Sequence, residues 1–512
     1  MRRAAARRKD AFFAKIEVQG LALTYADVRL KTGYSETSPA DAALESKFSR
    51  RVPLKIPIVS APMDRVTEYK MAIELAKHGG LGIIHTGLLP EKQAAFVTRV
   101  KLYLNAVIEK PICVKEGDSI GDIEKMREEQ GWGFHSFPVV KDDGTLAGVL
   151  SGSDFEFCTD RSRKAAAVMT RTPVTAPAGT NLKAAFGIML KRKKKFLPLV
   201  DKKGKLTGVY VFSDAKRVLL GGEESSRYNV DKEGHLRVGA AIGVGEGELA
   251  RAELLASRGV DVLVLDTAHG DTPRALKMLK ELKKRFPKTD VVAGNVSEGE
   301  SAKRLADAGA DGVKVGQGPG SICTTRIVAG IGCPQVTAVH NSEKALRGYG
   351  IPLCADGGIR YAGDIPVALG AGADSVMAGM LFAGTDEAPG EKVLVNGITY
   401  KDYRGMGSLG AMQQSRASRE RYRQARPGKA SYFPEGVEGL VPYRGAVGGV
   451  LLQLAEGLRR GMGYVGAKDI DELHAKADFH RLSEGAAEES HPHDVTITHE
   501  MPNYGTFQKE GI

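Results

Sequence analysis

A chain of 512 residues is too long for one ordinary compact domain and suits two or three. With 42% hydrophobic and 26% charged residues it has globular composition, which excludes a disordered or fibrous protein, and no stretch nears the roughly 20 uninterrupted apolar residues of a membrane helix. The excess of 73 basic over 62 acidic residues, +11 net, suits anionic small ligands. No aromatics interleave with the basic clusters at Arg2–Lys9 and Lys191–Lys195, so no nucleic-acid groove is expected.

The Arg- and Ala-rich start has no long apolar core, so it reads as a short solvated tail rather than a secretory signal. Strand-like apolar segments then follow in chain order at Ile56–Ala61, Leu81–His85, Arg237–Ile242, Val260–Asp266, Asp290–Gly294, Gly312–Gly316, Leu353–Asp356 and Ser375–Gly379. Amphipathic stretches such as Lys92–Val100, Arg274–Phe286 and Glu298–Ala308 lie between them. Alternating strands and helices imply a parallel sheet, and eight units predict a (β/α)₈ TIM barrel.

The rhythm breaks after Leu89, and the third strand waits until about Arg237. Within the gap, Phe137-Pro138-Val139-Val140 leads to Gly144, Leu146, Gly148-Val149 and Ser153-Asp154. Sixty residues later Leu197-Pro198-Leu199-Val200 leads to Gly204, Leu206, Gly208-Val209 and Ser213-Asp214. Each copy predicts strand, tight turn, strand and a capped helix. A tandem repeat between two barrel strands makes an inserted domain at 108–222, dividing the barrel into 1–107 and 223–512. The copies resemble a CBS-domain pair (a Bateman module), which often binds adenine nucleotides; packing or assembly is the alternative. Asp154 and Asp214 stand at equivalent places where a carboxylate could take a ribose and a helix start could attract phosphate, and they are the candidates for a regulatory purine nucleotide.

Five cysteines, Cys113, Cys158, Cys323, Cys333 and Cys354, form no CxxC and have no histidine at zinc spacing, which points to a reducing, cytoplasmic setting. The densest segment is Val315–Arg326, where Gly316, Gly318 and Gly320 allow the backbone to approach a ligand. Cys323 ends that loop among Ser321, Thr324 and Thr325, poor core material but good surroundings for a nucleophile. Cys113, Cys158 and Cys354 read as buried small hydrophobes.

Gly318-Pro319-Gly320-Ser321-Ile322-Cys323-Thr324-Thr325-Arg326, followed by Gly332-Cys333-Pro334-Gln335, resembles the signature of the inosine-5′-monophosphate dehydrogenase family. Leu23–Val28, Ser60–Asp64, Leu265–Gly270, Ala355–Gly358, Tyr403–Ser408 and Glu489–Asp494 follow the family's order, so the resemblance spans nearly the whole chain. It implies a barrel with a CBS pair after strand two, in agreement with the strand count and the repeat. It also implies that Cys323 adds to C2 of inosine monophosphate (IMP), hydride passes to NAD⁺, and water releases xanthosine monophosphate from a thioimidate.

By the same resemblance Ser321, Asp356, Gly357, Gly358, Gly379 and Tyr403 hold ribose and phosphate, and Met63, Met406 and Gly407 contact the base. Asp266, Thr267, Asn295 and Gly316 face NAD. Lys401–Ser431 reads as a flap, whose Arg421-Tyr422 matches a pair in which the arginine activates water, helped by Thr325 and Glu435. Backbone oxygens of Gly318, Gly320 and Cys323 match a K⁺ site, completed by Glu489, Ser490 and His491 from a neighbouring subunit of a homotetramer or octamer. The chain departs from the family at Met380, where a phosphate-binding serine is usual, and at Gln317, where an aliphatic residue is usual. Guanosine monophosphate (GMP) reductase shares the barrel and cysteine loop and is the alternative activity; the Arg421-Tyr422 pair and the Glu489–Asp494 tail favour the dehydrogenase.

Overall fold

Short runs of Val, Ile, Leu and Ala that are buried on both faces read as unbroken apolar segments, because helices cover a parallel sheet on its outer side. In the computed structural model, eight such runs close into one parallel barrel. They are β1 (Ile58–Ser60), β2 (Leu81–Ile84), β3 (Gly239–Ile242), β4 (Val262–Asp266), β5 (Asp290–Val296), β6 (Gly312–Val315), β7 (Leu353–Asp356) and β8 (Ser375–Ala378). The structure describes residues 2–104, 107–108, 111–130, 132–220, 226–424, 432–499, 501 and 504. Strand order follows the sequence, and β8 closes on β1 with Val376 opposite Ile58. The expected (β/α)₈ barrel is therefore present.

Helices return the chain between strands at Tyr69–Lys77, Pro90–Lys101, Glu248–Ser257, Pro273–Arg285, Gly299–Asp307, Gln335–Leu346 and Asp364–Ala371. Their starts obey local chemistry. Thr272 accepts the Ala275 N–H ahead of Pro273 at the first helical turn. Val59, Leu81, Ile83, Ala241, Val264, Val292 and Met377 share one core cluster with Phe48, Val52 and Leu54. The short hairpin carrying those last three sits at the amino ends of the strands, with Ser49 bonded to Asp290 and Arg50 to the Asp311 carbonyl. The opposite, carboxyl ends are left open.

The N-terminal segment is a correction to the sequence reading. Residues Arg2–Val18 form a helix whose Phe13 and Ile16 are buried, and the Phe13 ring stacks on His340 at 3.8 Å. Apolar residues three apart on one helix face give it a docking stripe, so it is not a solvated tail. Burial and the nearby Lys9 ammonium lower the His340 pKa to about 4.

The chain leaves the barrel after Lys101 and resumes it at Arg227, and residues 102–226 form a second compact unit. The expected limits, 108 and 222, fall slightly inside it; 221–225 lie outside the described residues. Val107–Ile108 pairs antiparallel with Leu206–Val211, and Arg217 donates to the Tyr103 carbonyl with its guanidinium 4.0 Å from the Tyr103 ring. Inside the unit the repeat is physical. Phe137–Val140 pairs with Leu146–Leu150, and Phe196–Val200 with Leu206–Val211, each with a register shift at the same point. Leu146 N–H donates to Gly204 O and Leu206 N–H to Gly144 O, reciprocal bonds between the two hairpins.

Where the barrel chain is interrupted, Lys101 Nζ lies 2.9 Å from Asp231 and 2.6 Å from Asp261, all three side chains being largely buried. Arg237 adds a second cation to Asp261 at 3.2 Å. No helix among the described residues is long and apolar enough to cross a membrane.

Candidate active site

The open ends of the barrel strands surround a cavity of about 550 Å³. The loop after β6 enters it through Gly316. With φ at +146° and a hypothetical Cβ 2.2 Å from the Asp356 carbonyl, only glycine passes there. Arg326 holds the two limbs of the loop together, Nε donating to Gln317 O at 2.9 Å and Nη2 to Cys333 O at 2.6 Å.

Inside this loop Cys323 N–H donates to Gly320 O, and the segment Glu435–Val437 pairs with it through Thr324 N–H to Glu435 O and Val437 N–H to Ile322 O. The thiol is thereby aimed along a chain of acceptors. Cys323 Sγ donates to Thr325 Oγ1 at 3.2 Å, and Thr325 Oγ1 donates to Glu435 Oε2 at 2.8 Å. Such a series can move a proton between the sulfur's surroundings and a carboxylate. Burial pushes the Cys354 thiol up to about 12 and Cys333 up to about 11, and raises Cys113 as well.

A second cluster crosses four strand ends. Lys314, on β6 and 1% exposed, donates to Asp266 Oδ1 at 2.9 Å, to Asp356 Oδ2 at 2.7 Å and to Asn295 Oδ1. Asn295 in turn donates to Asp356 Oδ2 at 2.8 Å and Gly316 O at 2.7 Å. The buried ammonium thus links two carboxylates, and its own charge is balanced by them. Sequence reasoning missed Lys314. The available signal was a lone lysine inside an otherwise apolar strand, Gly312-Val313-Lys314-Val315.

The outer oxygen of Asp266 is taken by the Arg421 guanidinium. Arg421 ends the helix Arg416–Arg421, started by Ser415, and Tyr422 follows it, half-buried, with desolvation raising its phenol pKa. Residues 425–431 of the expected flap lie outside the described residues. Arg404 fixes the base of this segment, Nε donating to Asp64 Oδ2 at 2.9 Å.

Of the sequence candidates, Met63, Asp266, Asn295, Gly316, Gly318, Gly320, Ser321, Cys323, Thr325, Asp356, Gly357, Gly358, Gly379, Met380, Tyr403, Met406, Arg421, Tyr422, Glu435 and His491 all line the one cavity. Tyr403 Oη donates to Met63 Sδ at 3.7 Å, and burial raises its pKa well above a free phenol's. Arg29 and Arg360, not anticipated, add cations to the same wall. Six candidates are placed elsewhere. Thr267 is turned inward, its hydroxyl donating to Gly294 O at 2.8 Å. Gly407 lies under the Tyr422 ring, which a Cβ there would meet at 2.7 Å. Glu489 ends a short exposed helix, and Ser490 donates to Ala486 O and lines a separate, smaller cavity. In the second unit Asp154 accepts Ser151 N–H and Oγ–H as a helix cap, and Asp214 pairs with Arg217 at 2.8 Å.

Comparison with known proteins agrees over nearly the full length. The family model described as IMP dehydrogenase / GMP reductase domain matches residues 22–493. An inosine-5′-monophosphate dehydrogenase of Aquifex aeolicus is 47% identical over 94% of this chain and 97% of its own. One of Helicobacter pylori is 46% identical over 94% of this chain and 98% of its own. Among solved structures, GMP reductase from Trypanosoma brucei in complex with guanosine 5′-monophosphate superposes with a TM-score of 0.80 at 37% identity, covering 93% of this chain and 98% of that one.

Proposed function

The chain belongs to the IMP dehydrogenase / GMP reductase family, and we propose that within it the chain oxidises IMP to xanthosine monophosphate with NAD⁺. The observation that carries this reading is the Cys323–Thr325–Glu435 series in a cavity that also holds Asp356 and Arg421. The thiolate of Cys323 forms a bond to C2 of the base, the hydride on C2 departs, and a thioimidate remains. Water then adds at C2 and the carbon–sulfur bond breaks, restoring the thiol. Two electrons leave with the hydride, so the purine is oxidised and the enzyme is unchanged.

Asp266 and Asn295, buried polar groups opening on the cavity, fit the hydroxyls and carboxamide of a dinucleotide. NAD⁺ supplies the hydride acceptor when bound there. Asp356, braced by Lys314, accepts the ribose hydroxyls, while the amides of Gly358 and Gly379 suit the phosphate, with Gly357 turning the loop and donating to Met377 O. Arg421 occupies the same carboxylate that the dinucleotide would use. Bound dinucleotide and docked Arg421 are therefore mutually exclusive, so the reduced dinucleotide leaves before Arg421 arrives, which orders hydride transfer before hydrolysis. Tyr422, seated on Gly407, holds that arginine's helix end.

Curated relatives at 43–47% identity carry the dehydrogenase name, whereas the GMP reductase structure stands at 37%. Mixing the protein with IMP and NAD⁺, or with GMP and NADPH, separates the two: absorbance of reduced nicotinamide rises in the first and stays flat in the second. The reverse pattern refutes the dehydrogenase reading.

Met380 carries no hydroxyl toward the phosphate wall. Met380→Ser is expected to tighten IMP binding about tenfold, the lower end of the worth of one hydrogen bond to a charged group, read as KM for IMP at saturating NAD⁺. A K⁺ ion is read at the backbone oxygens of Gly318, Gly320 and Cys323, a reading supported by the positive φ of Gly318 in that loop. With Glu489, Ser490 and His491 supplied by another copy in a tetramer, activity is expected to fall about tenfold when Li⁺ replaces K⁺, and equal rates would remove the site.

The paired module is read as a purine-nucleotide sensor, supported by equivalent carboxylates at helix starts sixty positions apart. Isothermal titration with ATP and GTP is expected to give binding in the wild type and at least tenfold weaker binding in an Asp154→Ala, Asp214→Ala double variant. Equal affinity would leave both as helix caps.

A further inference from the structure

We infer that Gln317 is a positioning residue for hydride transfer, tying the cysteine loop to the loop that faces the dinucleotide; the inference rests on the IMP dehydrogenase reading. Gln317 is 9% exposed and follows β6. Its Oε1 accepts the Ser297 hydroxyl at 2.7 Å, and its Nε2 donates to Ala268 O at 3.0 Å and toward His269 Nδ1 at 3.1 Å. One side chain therefore joins the loops after β4, β5 and β6.

Only one orientation of the amide satisfies this set. Ser297 has a hydrogen to give, Ala268 O can only accept, and His269 Nδ1 must be the unprotonated nitrogen. The Gln317 carbonyl also receives Arg326, the residue that closes the cysteine loop. An aliphatic side chain of similar size could fill the space but would make none of these bonds, and it would strand the buried Ser297 hydroxyl. Among the described residues, these loops are also joined at the strand ends through Lys314, Asn295 and Thr267, and the loop after β4 is held farther out where Asp271 meets Ser301 and Arg304. The link from the cysteine loop to Ala268, His269 and Ser297 is made by Gln317.

The consequence is geometric. The purine is held by the Cys323 loop, and the hydride acceptor lies on the side of Asp266, two residues before Ala268. Transfer between them is sensitive to displacements of an ångström or less. Loosening the tether should therefore slow hydride transfer without weakening the grip on IMP, which depends on Asp356, Tyr403 and the glycine loops after β7 and β8.

The test uses the full-length protein with Gln317→Met, and Gln317→Glu as a second variant that keeps the Ser297 acceptor but loses both donated bonds. Hydride transfer in a single turnover is expected to slow about tenfold and KM for NAD⁺ to rise about tenfold. The Kd for IMP and the hydrolytic rate are expected to stay within twofold. Adding Ser297→Ala to Gln317→Met should recover thermal stability but not the hydride step, which separates positioning from simple packing. Without any substrate, amide hydrogen exchange at 267–270 and 318–323 should quicken in both variants. An unchanged hydride rate, an equal loss of IMP affinity or unchanged exchange overturns the tether. Failure of the wild type to oxidise IMP overturns the functional reading instead, and the exchange measurement still decides the tether.

Discussion

Cys323→Ala is expected to lower steady-state NADH formation by roughly 10⁴-fold or more, because no other group on the cavity wall can form the bond to C2. The remaining cysteines cannot substitute. Cys354 is buried with its thiol pushed up to about 12, and Cys333 lies behind Arg326 with its thiol at about 11, so neither offers a thiolate at neutral pH. IMP should still bind within a fewfold, since Ser321, Asp356, Gly357 and Gly358 are untouched. Absorbance measures the first quantity and titration calorimetry the second. Near-normal turnover in the variant would remove covalent catalysis altogether.

Arg421→Ala should split the reaction. A single-turnover burst of NADH is expected to keep its amplitude, and its rate within about twofold, while the steady-state rate falls about 10²- to 10⁴-fold, the usual worth of a proton-transfer group. The variant also frees the Asp266 oxygen that Arg421 holds, so NAD⁺ should bind more tightly, not less. Covalent enzyme should accumulate and be trapped by acid quench and mass measurement. Loss of the burst would place Arg421 in substrate binding.

Most of the frame was legible because parallel strands buried on both faces leave continuous apolar runs, and because the inserted repeat keeps one constant offset. The ends were less so: β5 runs on to Val296, past the expected Gly294, since Asn295 and Val296 are buried by neighbours far away in sequence. The cysteine loop announced itself through its glycines. Glu435 was named only through the family resemblance, since it stands 110 residues from Thr325 and meets it only when the barrel closes. Lys314 was hidden by its apolar neighbours, and its function depends on three strands at once. Thr267 and Gly407 show the converse. Both lie in motifs of the site, but the local backbone turns Thr267 inward and places the Tyr422 ring over Gly407. The N-terminal helix was obscured by its charge, although Phe13 and Ile16 are buried and Asp10 pairs with Arg347 at 2.8 Å.

The interruption between β2 and β3 bears on how the protein folds. Lys101 and Asp231 are 130 residues apart in sequence, and closing a flexible loop of that length costs about 4 kcal/mol in chain entropy. A module that folds first removes most of that cost. At its opening, Tyr103 accepts from Arg217 and Val107–Ile108 pairs with Leu206–Val211 near its close, so the folded insert presents these two segments side by side. The barrel chain then meets a short gap where the unfolded chain had a long one, and the buried Lys101–Asp231–Asp261 cluster closes it. Barrel closure becomes a local event, with the insert acting as its own chain-internal clasp.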